Sequence, residues 1–483
     1  MKISDLPKQL KKDIQQTLKQ YHMVTEPQST ELSNLVLVQM REQNQTTLPK
    51  RQAINAVLDE GLSQMMLRQP ESGQILSRRF RDKISIAQVS QELSLTIDQV
   101  KHKQKDGFEE LAKIIWTMDY EARLARVAEQ KSKLEAKRYT ELFGIDTLFK
   151  ALYEQLTSES TPWVVTLAGI GGIGKTSLAN YTVRKVVETL KYHDVVWLTV
   201  SEGTQRKRPY PATTPQQTFD RLILQLCRKM LPSLSNQASQ EERLTQLQYL
   251  LKSQRYLIIV DDLELEADTA YLISELITLA SPSRFLLTSR TQPIPHSGSQ
   301  SICLPELSEE HSMALIRHYA NEIGFTAAAK ADDEALRPIY ELVGGNPFSL
   351  KHLVNLALRR PLKPLLVSLK QRPLESGDEI YKHILHETWL SLNDDAKTVL
   401  AVMTLSTEGG MDPEQIATFS GLPDSKLWPA INELIGRSLL EVRSSTLWER
   451  SYGIHRLTEL FLRTLINGDD DQTIDFKDGH NEL

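Results

Sequence analysis

Cysteine is nearly absent, with only Cys227 and Cys303 in 483 residues. Two thiols build neither a disulfide framework nor a multi-cysteine zinc site, so redox and structural-zinc functions drop out and a reducing compartment is expected. Glycine and proline are sparse, at 21 each, and 40% of residues are hydrophobic against 25% charged, which excludes a fibrous or low-complexity chain. No run reaches the roughly 18 apolar residues of a membrane span, and the start MKISDLPKQLKKDIQQ has no apolar core of a secretion signal. A soluble, cytoplasmic, unexported protein with no membrane partner is expected. No internal repeat of roughly 20–50 residues is visible, so a repeat array is not expected.

What is present is length and an uneven charge. At about 100–200 residues per domain, the chain suggests two to four units. The net charge of −5 divides into +5 over residues 1–140 (23 Lys and Arg, 18 Asp and Glu) and −10 over residues 141–483 (34 against 44), which suggests different partners for the two halves.

The first 140 residues lack period-two alternation and predict helices at Leu6–Tyr21, Thr30–Glu42 and Arg51–Met66. From Trp163, short β-rich runs (Trp163–Ala168, Val195–Val200, Tyr256–Val260, Arg284–Thr288) alternate with helical stretches, the pattern of a parallel α/β sheet. Residues 305–360 return to helix. Residues 376–467 read as helices followed by a hairpin around Leu439–Tyr452, and 468–483 as an acidic tail with little to bury.

The strongest motif is Gly169-Ile-Gly171-Gly172-Ile173-Gly174-Lys175-Thr176, followed by Ser177 and set between the strand WVVTLA and a helix. It is a full GxxxxGK[ST] match in the context that the pattern requires. Its glycines let backbone N–H groups wrap phosphates at a helix N-terminus, Lys175 is placed to reach the β- and γ-phosphates, and the Thr176 hydroxyl to ligate Mg²⁺. The bland reading is a glycine-rich turn with a chance lysine. Tyr256-Leu-Ile-Ile-Val-Asp261-Asp262 is an apolar strand ending in two carboxylates, Asp261 suited to the metal shell and Asp262 to polarising an attacking water, with a simple strand-capping turn as the alternative. The strand Arg284–Thr288 delivers Arg290 to the same sheet edge, either as a γ-phosphate sensor or as a solvent-facing arginine.

GIGGIGKTSLA, VVWLTVS, YLIIVDDLE, SRFLLTSR, LVGGNPFSLKHL and YGIHRLTE occur in one order, and over residues 139–466 the chain resembles NB-ARC domains of the STAND class of signalling ATPases. The resemblance implies a nucleotide-binding domain (139–303), a small helical domain (304–365) and a winged helix (376–467) that close over ADP and rearrange with ATP. It implies that Phe143 and Gly144 line the adenine pocket, that Pro347 packs on base or ribose, and that His455 contacts the β-phosphate of ADP. Ile145 stands where many relatives carry arginine, and Arg456 where they usually carry aspartate.

The basic half carries a second pattern. Val89, Leu93, Leu95 and Val100 have the spacing that packs two helices across a short turn, and residues 71–120 resemble the helix-turn-helix of the fourth region of bacterial sigma factors, with Ser90 at a usual alanine and Ser94 at the turn glycine. Arg78, Arg79, Gln99, Lys101, His102, Lys103 and Lys105 are the candidate DNA contacts. Residues 1–70 form a further helical region. Residues 121–138 read as a helical linker within a charged stretch, Glu109–Arg138, whose charge argues against a core role.

The expected whole is therefore multidomain, α and α/β: an ATP/ADP switch with Mg²⁺, hydrolysing slowly and forming homo-oligomers with ATP. Its N-terminal module either binds double-stranded DNA as a transcription regulator or serves a non-DNA signalling or defence scaffold. Sensing is expected from the N-terminal half, a separate sensor or effector protein, or DNA.

Overall fold

The computed structural model describes residues 6–23, 31–44, 50–200, 214–234, 238–263, 266–290, 292–293, 296–370, 385–386, 388–390, 392–406, 410–437, 439–445, 449–454, 458–459, 461–462 and 465. The chain forms two compact units, Met1–Ser132 and Lys133–Leu483. None of the described helices is long and apolar enough to cross a membrane.

Among the described residues the first unit is helical, with α1 (Lys8–Lys19), α2 (Val36–Asn44), α3 (Lys50–Arg68), α4 (Pro70–Leu76), α5 (Ile86–Glu92) and α6 (Ile97–Ser132). In α1, Leu10, Ile14 and Leu18 recur every four residues and are fully buried, a stripe that helical periodicity turns to one side. They meet Ile54, Leu58 and Leu62 of α3 and Leu111 and Ile115 of α6 in one core. The predicted helix Thr30–Glu42 is instead a 3₁₀ turn at Leu32–Asn34 followed by α2.

Two expectations for the charged stretch are corrected. Phe108, Leu111, Ala112, Ile115 and Trp116 of α6 are buried in the core, because the spacing of apolar residues rather than the number of charges decides which face packs. The helix ends at Ser132, so of the expected linker 121–138 only the first part is helical. Residues 133–138 are non-helical: Leu134 is buried, and the Glu135 carbonyl accepts from side chains of the following domain instead of a helical N–H. Residues 1–70 and 71–120 lie in one compact unit, where Leu76, Phe108 and Leu111 join the core of α1 and α3 while Ile75, Val89 and Val100 form a small cluster of their own.

The second unit holds a five-stranded parallel sheet: β1 (Val164–Ala168), β2 (Asp194–Thr199), β3 (Tyr256–Leu263), β4 (Arg284–Ser289) and β5 (Ser299–Cys303), in the order β2-β3-β4-β1-β5. β1 and β4 are buried along their whole length, as strands covered on both faces must be. Around them lie α7 (Asp146–Thr157), α8 (Lys175–Val187), α9 (Pro215–Met230), α10 (Gln240–Ser253) and α11 (Glu266–Leu279).

A helical cluster follows, containing α12 (Glu309–Glu322), α13 (Thr326–Ala329), α14 (Asp333–Val343), α15 (Pro347–Arg359) and α16 (Leu362–Lys370). The last module has helices at Asp394–Val402, Pro413–Ser420 and Asp424–Gly436, then an antiparallel hairpin of β6 (Glu441–Ser445) and β7 (Arg450–Gly453), where the sequence predicts one. Residues 468–483 lie outside the described residues.

Candidate functional site

Parallel strands carry their C-terminal ends to one edge, and the loop Gly169–Gly174 leaves β1 at that edge to enter α8. Gly174 caps α8 at φ 104°, a backbone conformation that favours glycine. Lys175 reaches back over the loop, its ammonium donating to the carbonyls of Gly169 (2.7 Å) and Ile170 (3.0 Å). The side chain named for phosphate contact is thus held inside the loop that would cradle the phosphates.

Thr176 donates to Asp261 Oδ1 at 2.9 Å, and Thr288 at the end of β4 donates to the same oxygen at 2.6 Å. Asp261 is buried; desolvation, reinforced by the neighbouring Asp262 carboxylate, pushes its carboxyl up to about 6. The Thr288 hydroxyl also accepts from the Asp262 N–H at 2.9 Å. Here the β3–β4 register shifts between Val260 and Leu263, and Asp262 takes φ 69°, so a bulge removes it from strand alternation and re-aims its side chain. The two adjacent carboxylates are separated by this bulge, which the sequence does not announce. Arg290 follows β4, its N–H bonded to the Leu263 carbonyl at 3.2 Å, which brings it to the same edge.

The helical cluster meets the loop through the start of α15. Asn346 is fully buried: its amide donates to the Gly171 carbonyl at 3.0 Å while its side-chain oxygen caps α15 at the N–H groups of Phe348 and Ser349. Pro347 occupies the first position of α15, where its missing N–H costs nothing, one residue from that contact. Phe348 stands against Gly172 and also packs on both the helical-cluster core and the core of the last module.

Phe143 and Gly144 stand against α12. The Phe143 ring meets His318 edge-on at 5.5 Å, and Gly144 faces the His311 ring. His455 lies outside the described residues.

Thr288, Asn346 and Phe348 also touch the candidate site, although the motifs alone do not single them out. All three stand inside the motifs SRFLLTSR and LVGGNPFSLKHL, but only the three-dimensional register shows what their side chains touch.

Of the expected DNA contacts, Arg78 and Arg79 lie in the turn Ser77–Arg81, and Gln99, Lys101, His102, Lys103 and Lys105 at the start of α6. Ser94 adopts φ 55° in the turn between α5 and α6, and Ser90 Oγ donates to the Leu95 carbonyl at 2.5 Å, so both serines are accommodated in this turn. Val89 and Val100 are buried with Ile75 beneath it. The Gln99 side chain accepts from the Thr96 N–H at 2.8 Å and is engaged in capping α6. Arg78 faces Asp82 and Glu92, Lys101 faces Asp98, His102 faces Asp106, and Lys103 is paired with Glu71. Arg79 donates to the Ile84 carbonyl, while Lys105 is exposed.

Residues 145–324 match the NB-ARC domain family. The chain carries an NB-ARC domain. Its span takes in the parallel sheet, the phosphate loop and α12. Among curated proteins, the chain is 23% identical over 314 residues to the putative inactive disease susceptibility protein LOV1 of Arabidopsis thaliana, covering 62% of this chain and 40% of that protein. It is 29% identical over 222 residues to the probable disease resistance protein At1g59620 of the same plant, covering 44% and 24%. The chain thus spans well under half the length of these relatives. Among solved structures, a STAND protein with a tetratricopeptide-repeat sensor from Pyrococcus horikoshii aligns with a TM-score of 0.43 and 17% identity, over 69% of this chain and 44% of that one. An NB-ARC domain implies nucleotide binding.

Proposed function

We propose that this protein is a nucleotide-dependent conformational switch of the signalling ATPase class, holding ADP or ATP at the loop Gly169–Thr176. The observation that carries this reading is the Asn346–Gly171 bond together with the Phe348–Gly172 packing. A loop that binds phosphates is also the loop on which a second domain is fastened, so a ligand there changes the free energy of domain docking. Shifting such a docking equilibrium from 1:99 to 99:1 takes about 5.5 kcal/mol of differential binding.

The residues fit a divalent cation. Thr176 and Asp261 supply a hydroxyl and a buried carboxylate that already touch, and among the described residues no group of three or more His, Cys, Asp or Glu forms a protein-only cage. Mg²⁺ commonly takes this form of site, one or two protein oxygens completed by phosphate. When bound, the cation would neutralise phosphate charge. Lys175 binds and orients the phosphates, Arg290 senses the terminal one, and Asp262 accepts the proton of an attacking water in slow hydrolysis. Phe143, Gly144 and Pro347 are assigned to the base side, and His455 to the β-phosphate.

The deciding experiment is nucleotide binding by wild type and Lys175→Ala, with ADP and ATP, followed by light scattering. Loss of binding in Lys175→Ala and larger particles with ATP than with ADP are expected; undiminished affinity in the variant would sink the site.

The relatives named for disease resistance and susceptibility favour signalling in defence as the output, with oligomers in the ATP state, a separate sensor or effector protein as partner and a cytoplasmic location. Duplex DNA is a second reading, favoured by the α5–turn–α6 geometry and the exposed start of α6. Its cationic side chains would have to exchange carboxylate partners for phosphates, so its mark is an affinity that falls steeply with salt.

A further inference from the structure

The chain leaves α6 at Ser132 and runs as a non-helical strap, 133–139, before the NB-ARC match begins. The strap is fixed at several points within its own unit. Lys133 pairs with Asp194 at 2.7 Å, at the start of edge strand β2. The Glu135 carbonyl accepts from Asn180 Nδ2 at 2.8 Å and Arg184 Nη2 at 2.6 Å. Tyr139 donates to Asn180 Oδ1 at 3.3 Å. Thr176, Asn180 and Arg184 are spaced by four along α8 and share one face, so the helix face that touches Asp261 at its first turn holds the strap at its second and third.

The Glu135 side chain points to the same edge. Its Oε1 accepts from Thr199 Oγ1 at 3.4 Å, and Thr199 is the register partner of Asp261 across β2 and β3. Its other oxygen pairs with Arg138 at 2.7 Å. One strand spacing beyond Asp261 there is thus a third carboxylate, after Asp261 and Asp262, with a guanidinium as its counter-ion. Both side chains are about a quarter exposed, so their field at Asp261 is attenuated but not lost.

We propose that Glu135 is a positioning residue for the cation side of the nucleotide site, lent by the strap, and that Arg138 opposes it. This rests on the nucleotide reading above. A divalent cation beside Asp261 is attracted by Glu135 and repelled by Arg138, so cation binding favours loosening of the Glu135–Arg138 pair. The segment by which the chain leaves the N-terminal unit therefore takes part in the charge balance of the site, through residues outside the NB-ARC match.

The test is a Mg²⁺ titration of the full chain saturated with fluorescent ADP, with hydrogen exchange of residues 133–139 in parallel. Glu135→Gln should raise the Mg²⁺ concentration at half-saturation about three- to tenfold, and Arg138→Gln should lower it by a similar factor. Glu135→Asp should fall between wild type and Glu135→Gln. Nucleotide affinity in chelator should not change, because the strap is held to α8 by the Glu135 main-chain carbonyl. A purely structural role would shift both variants in the same direction. Such a common shift, or no shift in either variant, overturns the inference while leaving the nucleotide site intact; undiminished nucleotide binding by Lys175→Ala overturns the site itself. Added Mg²⁺ should increase exchange in the strap of wild type but not of Glu135→Gln, and equal exchange in both would also count against the role.

Discussion

A side chain on Gly172 would have to stand 2.6 Å from the Cβ of Phe348, closer than two carbon atoms pack. The phosphate loop therefore meets the helical cluster through a position where only hydrogen fits, and Phe348 carries that contact onward to the core of the last module.

Gly172→Ala should destabilise the second unit twice over. The residue sits at φ 73°, and the added methyl overpacks against Phe348; together these cost about 2–4 kcal/mol. Combining it with Phe348→Gly removes the Cβ that the new methyl would strike and leaves the backbone part. Urea unfolding should show the double variant less destabilised than the sum of the two single changes, and strict additivity would mean that the two residues do not interact.

Asn346 allows the cap to be separated from the latch. Asn346→Ala loses both the cap of α15 and the bond to the Gly171 carbonyl, an expected loss of about 1–3 kcal/mol. Asn346→Asp keeps an oxygen that can cap α15 but removes the N–H and brings a negative charge to the loop. It should melt closer to wild type than the alanine variant while releasing nucleotide faster in stopped-flow displacement. Equal release rates for Asn346→Asp and wild type would remove the latch role.

The glycine loop, the apolar strand ahead of Asp261 and the strand ahead of Arg290 were legible because local composition dictates them: glycines for a tight turn, and continuous β-branched and leucine runs for strands buried on both faces. Tertiary partnership was not legible. Nothing in the sequence marks Asp262 as a bulge, since aspartate tolerates a left-handed backbone without requiring one. The end of α6 at Ser132 is not marked in the sequence, because the Lys- and Glu-rich composition continues into the strap; what distinguishes the strap is that its Glu135 carbonyl is held by Asn180 and Arg184, residues more than 40 positions away. Ion pairs such as Lys103 with Glu71 were equally invisible, and a count of basic residues overstates the charge that α6 presents.

Asp261 and Asp262 should fail differently. Asp261→Asn removes the charge that faces Thr176, so nucleotide affinity should lose its dependence on Mg²⁺. Asp262→Asn should leave that dependence intact and slow hydrolysis about 10²-fold, within the range for loss of a general base. Single-turnover hydrolysis and equilibrium binding on both variants check the division of labour; identical behaviour would dissolve it.

His352 gives the fold a pH dependence of known sign. It is buried on α15 beside the Phe348 ring at 4.3 Å, and burial, aided by the adjacent Lys351 charge, pushes its imidazole down from 6.5 to about 4. Between those values the unfolded chain binds the proton and the folded chain does not, so stability rises with pH through the window and is lost as pH falls from about 6.5 toward 4. Linkage over that interval makes wild type about 2 kcal/mol less stable at pH 5 than at pH 7 from this group alone. Comparing urea midpoints at the two pH values in wild type and His352→Leu isolates the contribution. The leucine variant should lose that share of the pH dependence, and an unchanged difference between the two pH values would mean that His352 does not titrate on unfolding.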